Sequence, residues 1–302
     1  MSSKEKNLKD SKYIVIDDSV QGVGGTSLTL DGIIEPEKDN VGLISTQEFS
    51  LTQAFSLNPK KWIIGNVTNL TASVADVLCW LMENKPFVKI EFDYGFCPYR
   101  GEIPHKTLAK KDCRCPFHVE SYNPLAKIYE LIHSHGDYVF YMSDEQMQMH
   151  LDSLQFPQKS TYLRLSSCFT SQSLESMRKL RHNPKNNRYA IIDGNGGWHT
   201  QAKGIEESKK YAIDHSLEFD IIKTSTNKEM LKLLSEYSGM IFLPIIHDTC
   251  PRVTIEAKLL GLNVITHSKS QHISEEWWNK SLADIEYYLK GRPSYFWKIL
   301  NE

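Results

Sequence analysis

Two carboxylates eight residues apart, Asp248 and Glu256, stand in the segment Leu243-Pro-Ile-Ile-His-Asp-Thr-Cys-Pro-Arg-Val-Thr-Ile-Glu-Ala-Lys-Leu-Leu-Gly261. The pattern reads as a buried strand over 239–246, a short loop, and a helix over 251–260. Pro251 falls near the first turn, where a missing N–H does no harm. Open α/β sheets bind ligands beyond the carboxyl ends of their strands, and a helix start offers unpaired N–H groups at the positive end of its dipole. Asp248 then lies in the loop at the mouth of the sheet, and Glu256 about a turn and a half into the helix. A carboxylate near a helix N-terminus is expected to stay ionised and to accept paired hydrogen bonds from sugar or ribose hydroxyls. Taken alone, such a pair is an ordinary strand-loop-helix with two solvated acids; a strand, a helix, Gly261 and a further strand all in register favour a ligand site.

A second constellation is Asp193-Gly-Asn-Gly-Gly-Trp-His-Thr-Gln-Ala-Lys203-Gly204, a glycine-rich loop between a strand and a helix expected over 200–215. This geometry lets backbone N–H groups approach a phosphate. A third is Gly22-Val-Gly24-Gly25 after the first apolar run. Its spacing does not fit G-x-G-x-x-G, so it carries no nicotinamide fingerprint; a phosphate or acceptor loop is the functional reading.

The stretch from Asp248 to Thr266 resembles the E-x7-E signature of the retaining GT-B glycosyltransferases of family 4, with the continuation E-A-x-x-x-G-x-P-V-I. Here the first acid is Asp, and Pro251-Arg252 stands where a glycine is frequent. Lys203-Gly204 resembles the end of that family's G-R-x-x-x-x-K-G loop, with Trp198 at the position of the arginine. The resemblance implies two Rossmann-like domains of GT-B type facing across a cleft, and transfer of a hexose-type sugar with retention and without a catalytic metal. It implies that Glu256 holds the ribose of a UDP- or GDP-sugar, Asp248 the hexose, and Lys203 the diphosphate, the three making up the catalytic set. Gly24, Gly25, Gly197, Trp198, Gly204, Thr249, Cys250 and Arg252 complete the donor site. Arg252 is the candidate replacement for the cation missing at Trp198. No residue identifies itself as a nucleophile.

Cys97, Cys113, Cys115 and His118 form C-x15-C-x-C-x2-H, with His105 as a competing ligand. Three thiols and an imidazole could close a structural zinc site; reduced thiols in a loop are the other reading. Glu91-Phe-Asp93 looks like a metal-binding acid pair, but Phe92 continues a strand, so alternating acids at a strand end are expected instead.

Around these residues the chain alternates strands and helices, which argues for α/β architecture with mainly parallel sheets. Strands are expected over 13–16, 61–65, 86–92, 138–141, 188–193, 218–222 and 262–266. Helices are expected over 26–34, 72–83, 124–133, 143–154 and 227–237, with terminal helices in 273–300. The 302 residues suit two compact domains: an acceptor-side domain over 1–165, a nucleotide-sugar domain over 166–275, and terminal helices over 276–302 that cross back to the first. His133 and His135 fall at a helix end, and Trp277-Trp278 and Phe296-Trp297 read as packing groups rather than a membrane belt.

Lys and Arg number 35 against 37 Asp and Glu, a net charge of -2. On that balance no nucleic acid is expected as partner; the acceptor is expected to be a glycan, lipid or protein. No apolar run reaches the roughly 20 residues a membrane span needs, leaving peripheral contact only. The polar first residues and six scattered cysteines lead to a cytoplasmic expectation. Two rival functions stand beside transfer: a nucleotide-sugar epimerase or phosphorylase, and a nucleotide-sugar-binding protein without activity.

Overall fold

A computed structural model describes residues 8–20, 22, 24–67, 70–97, 105–106, 110, 124–153, 157–193, 202–223 and 226–302. The chain divides into two compact units. One comprises Met1–Ser27, Ile34–Leu165 and Tyr295–Glu302, the other Leu28–Ile33 and Ser166–Ser294.

The first unit is built on a six-stranded sheet of order β2-β1-β3-β4-β5-β6, every neighbouring pair parallel. Its strands are β1 (Tyr13–Asp17), β2 (Val41–Ser45), β3 (Lys61–Ile64), β4 (Phe87–Glu91), β5 (Tyr138–Tyr141) and β6 (Thr161–Arg164). All five residues of β1 and of β4 are buried, the continuous burial of parallel strands covered on both faces. Between them run α1 (Gly25–Ile34), α2 (Leu51–Ser56), α3 (Ala72–Asn84), α4 (Pro124–His135) and α5 (Asp144–Ser153). Ser50 starts α2 with a capping box through Gln53, and Thr71 caps α3 through the Val74 N–H. β2 and β6 have no counterpart among the expected strands. Both are edge strands: β6 is only half-buried and mixed in composition, and the short apolar stretch of β2 is interrupted by Gly42 and the exposed Leu43.

The second unit holds a four-stranded parallel sheet of order β10-β9-β7-β8, formed by β7 (Tyr189–Ile192), β8 (Phe219–Ile222), β9 (Gly239–Ile241) and β10 (Asn263–Ile265). Its helices are α6 (Ser171–Leu180), α7 (Ile205–Asp214), α8 (Asn227–Leu234) and α9 (Arg252–Leu259). The long α10 (Leu282–Asn301) supplies residues to both units. In the second, Ile285 and Leu289 join the core of Trp277 and Trp278; in the first, Phe296 meets Phe140 and Trp297 meets Tyr13, each at 4.8 Å between ring centroids. The architecture is therefore α/β with two Rossmann-like parallel sheets, the fold class expected. Among the described residues no helix is long and apolar enough to cross a membrane.

Glu91 is engaged by internal partners. Its carboxylate lies inside the first unit, 3.2 Å from the Lys89 ammonium, both side chains 1% exposed. Lys89 also donates to the carbonyls of Gly65 and Ile90 at 2.9 and 2.7 Å, and Glu91 accepts from the Tyr129 hydroxyl at 2.5 Å and the Gly95 N–H at 3.1 Å. Burial alone would raise the Glu91 pKa; the Lys89 ammonium first, then these donors, outweigh it and hold it low.

Three buried histidines stay neutral for the opposite reason. Burial lowers His133 to about 4, lowers His150, and lowers His272 to about 3. Each folded-state pKa lies below the unfolded value of about 6.5, so the unfolded chain takes up protons first as pH falls. Stability is then expected to drop from pH 6.5 downward, by up to about 1.4 kcal/mol per pH unit for each histidine. Urea midpoints at about pH 7.5 and pH 5.5, a window above the usual carboxylate range, check this. A lower midpoint at the acid end is expected, and equal midpoints would contradict it.

Candidate functional site

β9 pairs only as far as Ile241, shorter than the strand expected to reach residue 246. Beyond it Pro244 has no N–H to continue a ladder, and the chain leaves the carboxyl end of the sheet on other bonds. The Phe242 N–H still reaches the Ile265 carbonyl at 2.9 Å, while the Leu243 N–H turns to the Ser208 hydroxyl at 3.2 Å. The Ile245 N–H bonds to the Ala202 carbonyl at 3.0 Å, and its carbonyl accepts from the Lys269 ammonium at 2.8 Å. Asp248 is then clamped by its backbone: its N–H donates to the Lys269 carbonyl at 2.8 Å and its carbonyl accepts from the Gln271 N–H at 3.0 Å.

Pro251 is the N-cap of α9, in extended conformation and without a side-chain cap. The first turn is held instead by Thr254, whose hydroxyl donates to the Pro251 carbonyl at 2.7 Å. That hydroxyl has one proton, so its 3.1 Å contact with His272 Nε2 is donated by the ring. The assignment leaves His272 Nδ1 as a bare acceptor, and it is indeed buried without a partner.

One turn along α9, Arg252 and Glu256 meet inside the protein. Arg252 Nε lies 3.0 Å from Glu256 Oε1, with side chains 6% and 3% exposed. Arg252 Nη1 donates to the Cys168 carbonyl at 2.7 Å and to the Thr29 hydroxyl at 3.4 Å, and the guanidinium lies over the Phe169 ring at 3.8 Å. Asn227 Nδ2 also donates to Glu256 Oε1, at 3.0 Å. Both bonds thus converge on Oε1, and among the described residues Glu256 Oε2 and Arg252 Nη2 have no partner. Burial raises the Glu256 pKa, while Arg252 and the hydrogen bonds oppose the rise. Of the groups around Glu256, Arg252 is the one that most favours the ionised form.

The structure brings Lys203 and Gly204 to the same strand exit. They form a turn before α7, not part of the expected helix over 200–215. Gly204 has φ 68° and ψ 44°, and a Cβ there would lie 1.7 Å from the Leu243 carbonyl oxygen, so only glycine fits. Lys203 is half-buried, and its ammonium has no partner among the described residues.

Thr249 is buried, and the half-buried Cys250 accepts from the Ser167 hydroxyl at 3.4 Å. Gly24 and Gly25 belong to the first unit, where Gly25 opens α1. Gly197 and Trp198 lie outside the described residues, as do Cys113, Cys115 and His118. Cys97 is buried with its Sγ 3.4 Å from His105 Nδ1. Among the described residues no group of three or more His, Cys, Asp or Glu is placed to hold a metal ion.

Sequence reasoning missed Asn227, Thr29, Phe169 and the Cys168 carbonyl. Asn227 is the first residue of α8 after the Thr226 cap, which in sequence signals a helix start and nothing about a carboxylate 29 positions away.

No family model matches the chain, and no curated protein matches it in sequence. Solved structures do. An α-glucosyltransferase in complex with UDP is similar with a TM-score of 0.51 at 11% identity, covering 96% of this chain and 99% of that one. An α-glucosyltransferase in complex with UDP and a 13-mer DNA with a central A:G mismatch is similar with a TM-score of 0.53 at 11% identity, covering 96% and 90%. At this identity the likeness establishes the fold. It also corrects the expectation that nucleic acid is no partner, since this fold occurs with DNA bound. A net charge of -2 sums the whole surface, whereas phosphates are met by local clusters of Lys and Arg that a sum conceals.

Proposed function

We propose that this chain is a glycosyltransferase that draws a hexose-type sugar from a UDP-sugar and delivers it to DNA. One observation carries the donor half. Two loops that follow parallel strands of one sheet, Lys203-Gly204 after β7 and the run into Arg252 and Glu256 after β9, are bonded to each other through Ile245 and Ala202. That is the carboxyl-end position at which open α/β sheets take nucleotides. UDP is favoured over GDP because both similar solved structures hold UDP.

Glu256 Oε2, with Oε1 fixed by Arg252 and Asn227, accepts hydroxyls of the ribose. Lys203 neutralises the diphosphate, and Asp248 accepts from the sugar. In the reaction the bond from the anomeric carbon to the diphosphate oxygen breaks, and UDP leaves with the electron pair. The acceptor oxygen forms the new bond and releases its proton. Charge grows on the departing diphosphate, where Lys203 and the N–H groups opening α9 act. The resemblance of the motifs favours retention and a reaction without a catalytic metal. The four standard DNA bases carry no alcohol, so the acceptor is a base bearing a hydroxyalkyl substituent.

Transfer of radiolabelled sugar from UDP-sugar to a duplex with such a base tests the reading. Lys203→Ala is expected to weaken donor binding about 10- to 100-fold, the range for a hydrogen bond to a charged group, with the melting temperature unchanged. Turnover equal to wild type would show that Lys203 does not serve the donor.

A further inference from the structure

We infer that the first half of α10 and the turn before it form a groove that seats the backbone of a DNA strand, an extended footprint for the acceptor named above and resting on that reading. The groove has a volume of about 870 Å³ and belongs wholly to the second unit. Lys280, Lys290 and Arg292 line it, against one carboxylate, Asp284. Asp284 is occupied by Ser281, whose hydroxyl donates to it at 2.6 Å. Of the other acids of this stretch, Glu286 is buried and bonded to Arg178 and Arg181, and the exposed Glu276 does not line the groove. Lys280 and Lys290 are exposed and have no ion pair among the described residues. The groove therefore presents positive charge.

Its aromatic surface fits a base-bearing polymer. Tyr287 is 82% exposed, a side chain offered to solvent beside cations rather than to a core. Behind it the wall is rigid: Tyr288 stacks on Trp277 at 5.3 Å and 14°, its hydroxyl 2.9 Å from Ser166 Oγ, and the Arg292 guanidinium lies 5.1 Å from the Tyr288 ring centre. Asp284, Tyr287, Tyr288 and Gly291 share one stripe of the helix by their i, i+3 and i+4 spacing. A Cβ at Gly291 would meet nothing within 4 Å. Packing thus does not require glycine at a helical position where alanine is the better helix former; what the glycine does is keep the groove floor bare. Cations interleaved with exposed aromatic faces bind nucleic-acid backbone and stack on bases without sequence preference. A lipid surface would need a face of long apolar side chains, and here Ile285 and Leu289 are fully buried.

The test uses the full chain and a short labelled duplex with a single-stranded overhang, whose unpaired bases can stack on Tyr287, with anisotropy measured over a salt series. The double variant Lys280→Glu/Lys290→Glu is expected to lose at least tenfold in affinity, and its slope of log Kd against log salt should shrink by about 2, at roughly 0.9 per phosphate contact. Gly291→Leu, whose Cβ meets nothing within 4 Å, should lose affinity with no fall in melting temperature, leucine being the better helix former. Tyr287→Ala should weaken binding with the salt slope kept. Unchanged affinity and slope in all three variants, with UDP still raising the melting temperature of each, would overturn the groove and leave the donor reading intact. Groove-dependent DNA binding without any UDP effect would support the groove and sink the donor reading. Loss of binding to anionic vesicles in place of duplex would also overturn it, pointing to a membrane.

Discussion

Glu256→Ala is expected to abolish measurable UDP binding and to lower the stability of the second unit by about 3–5 kcal/mol, the cost of stranding a buried charge by removing its partner. The magnitude follows from burial: Arg252 is 7% exposed and Glu256 2%, so water cannot take over the missing bond. Glu256→Gln separates the two effects. The amide oxygen can still accept from Arg252 Nε and Asn227 Nδ2, while an NH2 group replaces the oxygen assigned to the ribose. Most of the stability should therefore return, and the UDP affinity should not. The pH dependence has a defined sign. Burial raises the Glu256 pKa, so the carboxylate is lost at a higher pH than an ordinary one, and UDP binding weakens from that point downward. Isothermal titration with UDP and urea denaturation of each variant check these outcomes; an alanine variant that binds UDP like wild type would remove Glu256 from the site.

Gly204→Ala is expected to cost about 2–4 kcal/mol, among the larger single-substitution effects, and to reduce donor affinity together with stability. Left-handed backbone alone disfavours alanine by about 1–2 kcal/mol. To this is added a Cβ 1.7 Å from the Leu243 carbonyl oxygen, a contact that only backbone movement relieves. The movement would fall on the segment that carries Lys203 on one side and leads to Asp248 on the other. In a control, Gly24→Ala should be near neutral in stability, because its Cβ would meet nothing within 4 Å. Thermal melts of both variants make the comparison, and equal melting temperatures would contradict the role given to the Gly204 turn.

Much of the frame was legible in the sequence. The central strands β1, β5 and β7 are apolar runs bounded by turn residues, so their places could be read to within a residue or two. β2 and β6 could not: β6 is mixed in composition and only half-buried, and in β2 Gly42 and the exposed Leu43 interrupt a short apolar stretch. Gly204 was legible as a glycine of a phosphate loop, though not as a residue wedged under the Leu243 carbonyl, since that contact joins positions 39 apart. Glu256 was legible from its spacing to Asp248 and to Gly261. Its electrostatics were not, because burial and the turn of Arg252 back along the helix come from packing against Phe169 and Cys168. The absence of nucleic acid was inferred from a sum over the chain, and it failed because a sum discards position: Lys280, Lys290 and Arg292 lie on one groove.

On the proposed reading the second unit binds a uridine nucleotide where the Lys203-Gly204 turn meets the start of α9. Titration of UDP into the wild-type chain, followed by melting temperature, tests it most directly, because a ligand that binds only the folded state raises stability by mass action. A saturable rise with UDP, lost in Glu256→Gln, is expected. No rise with UDP, or an equal rise in wild type and Glu256→Gln, would contradict it.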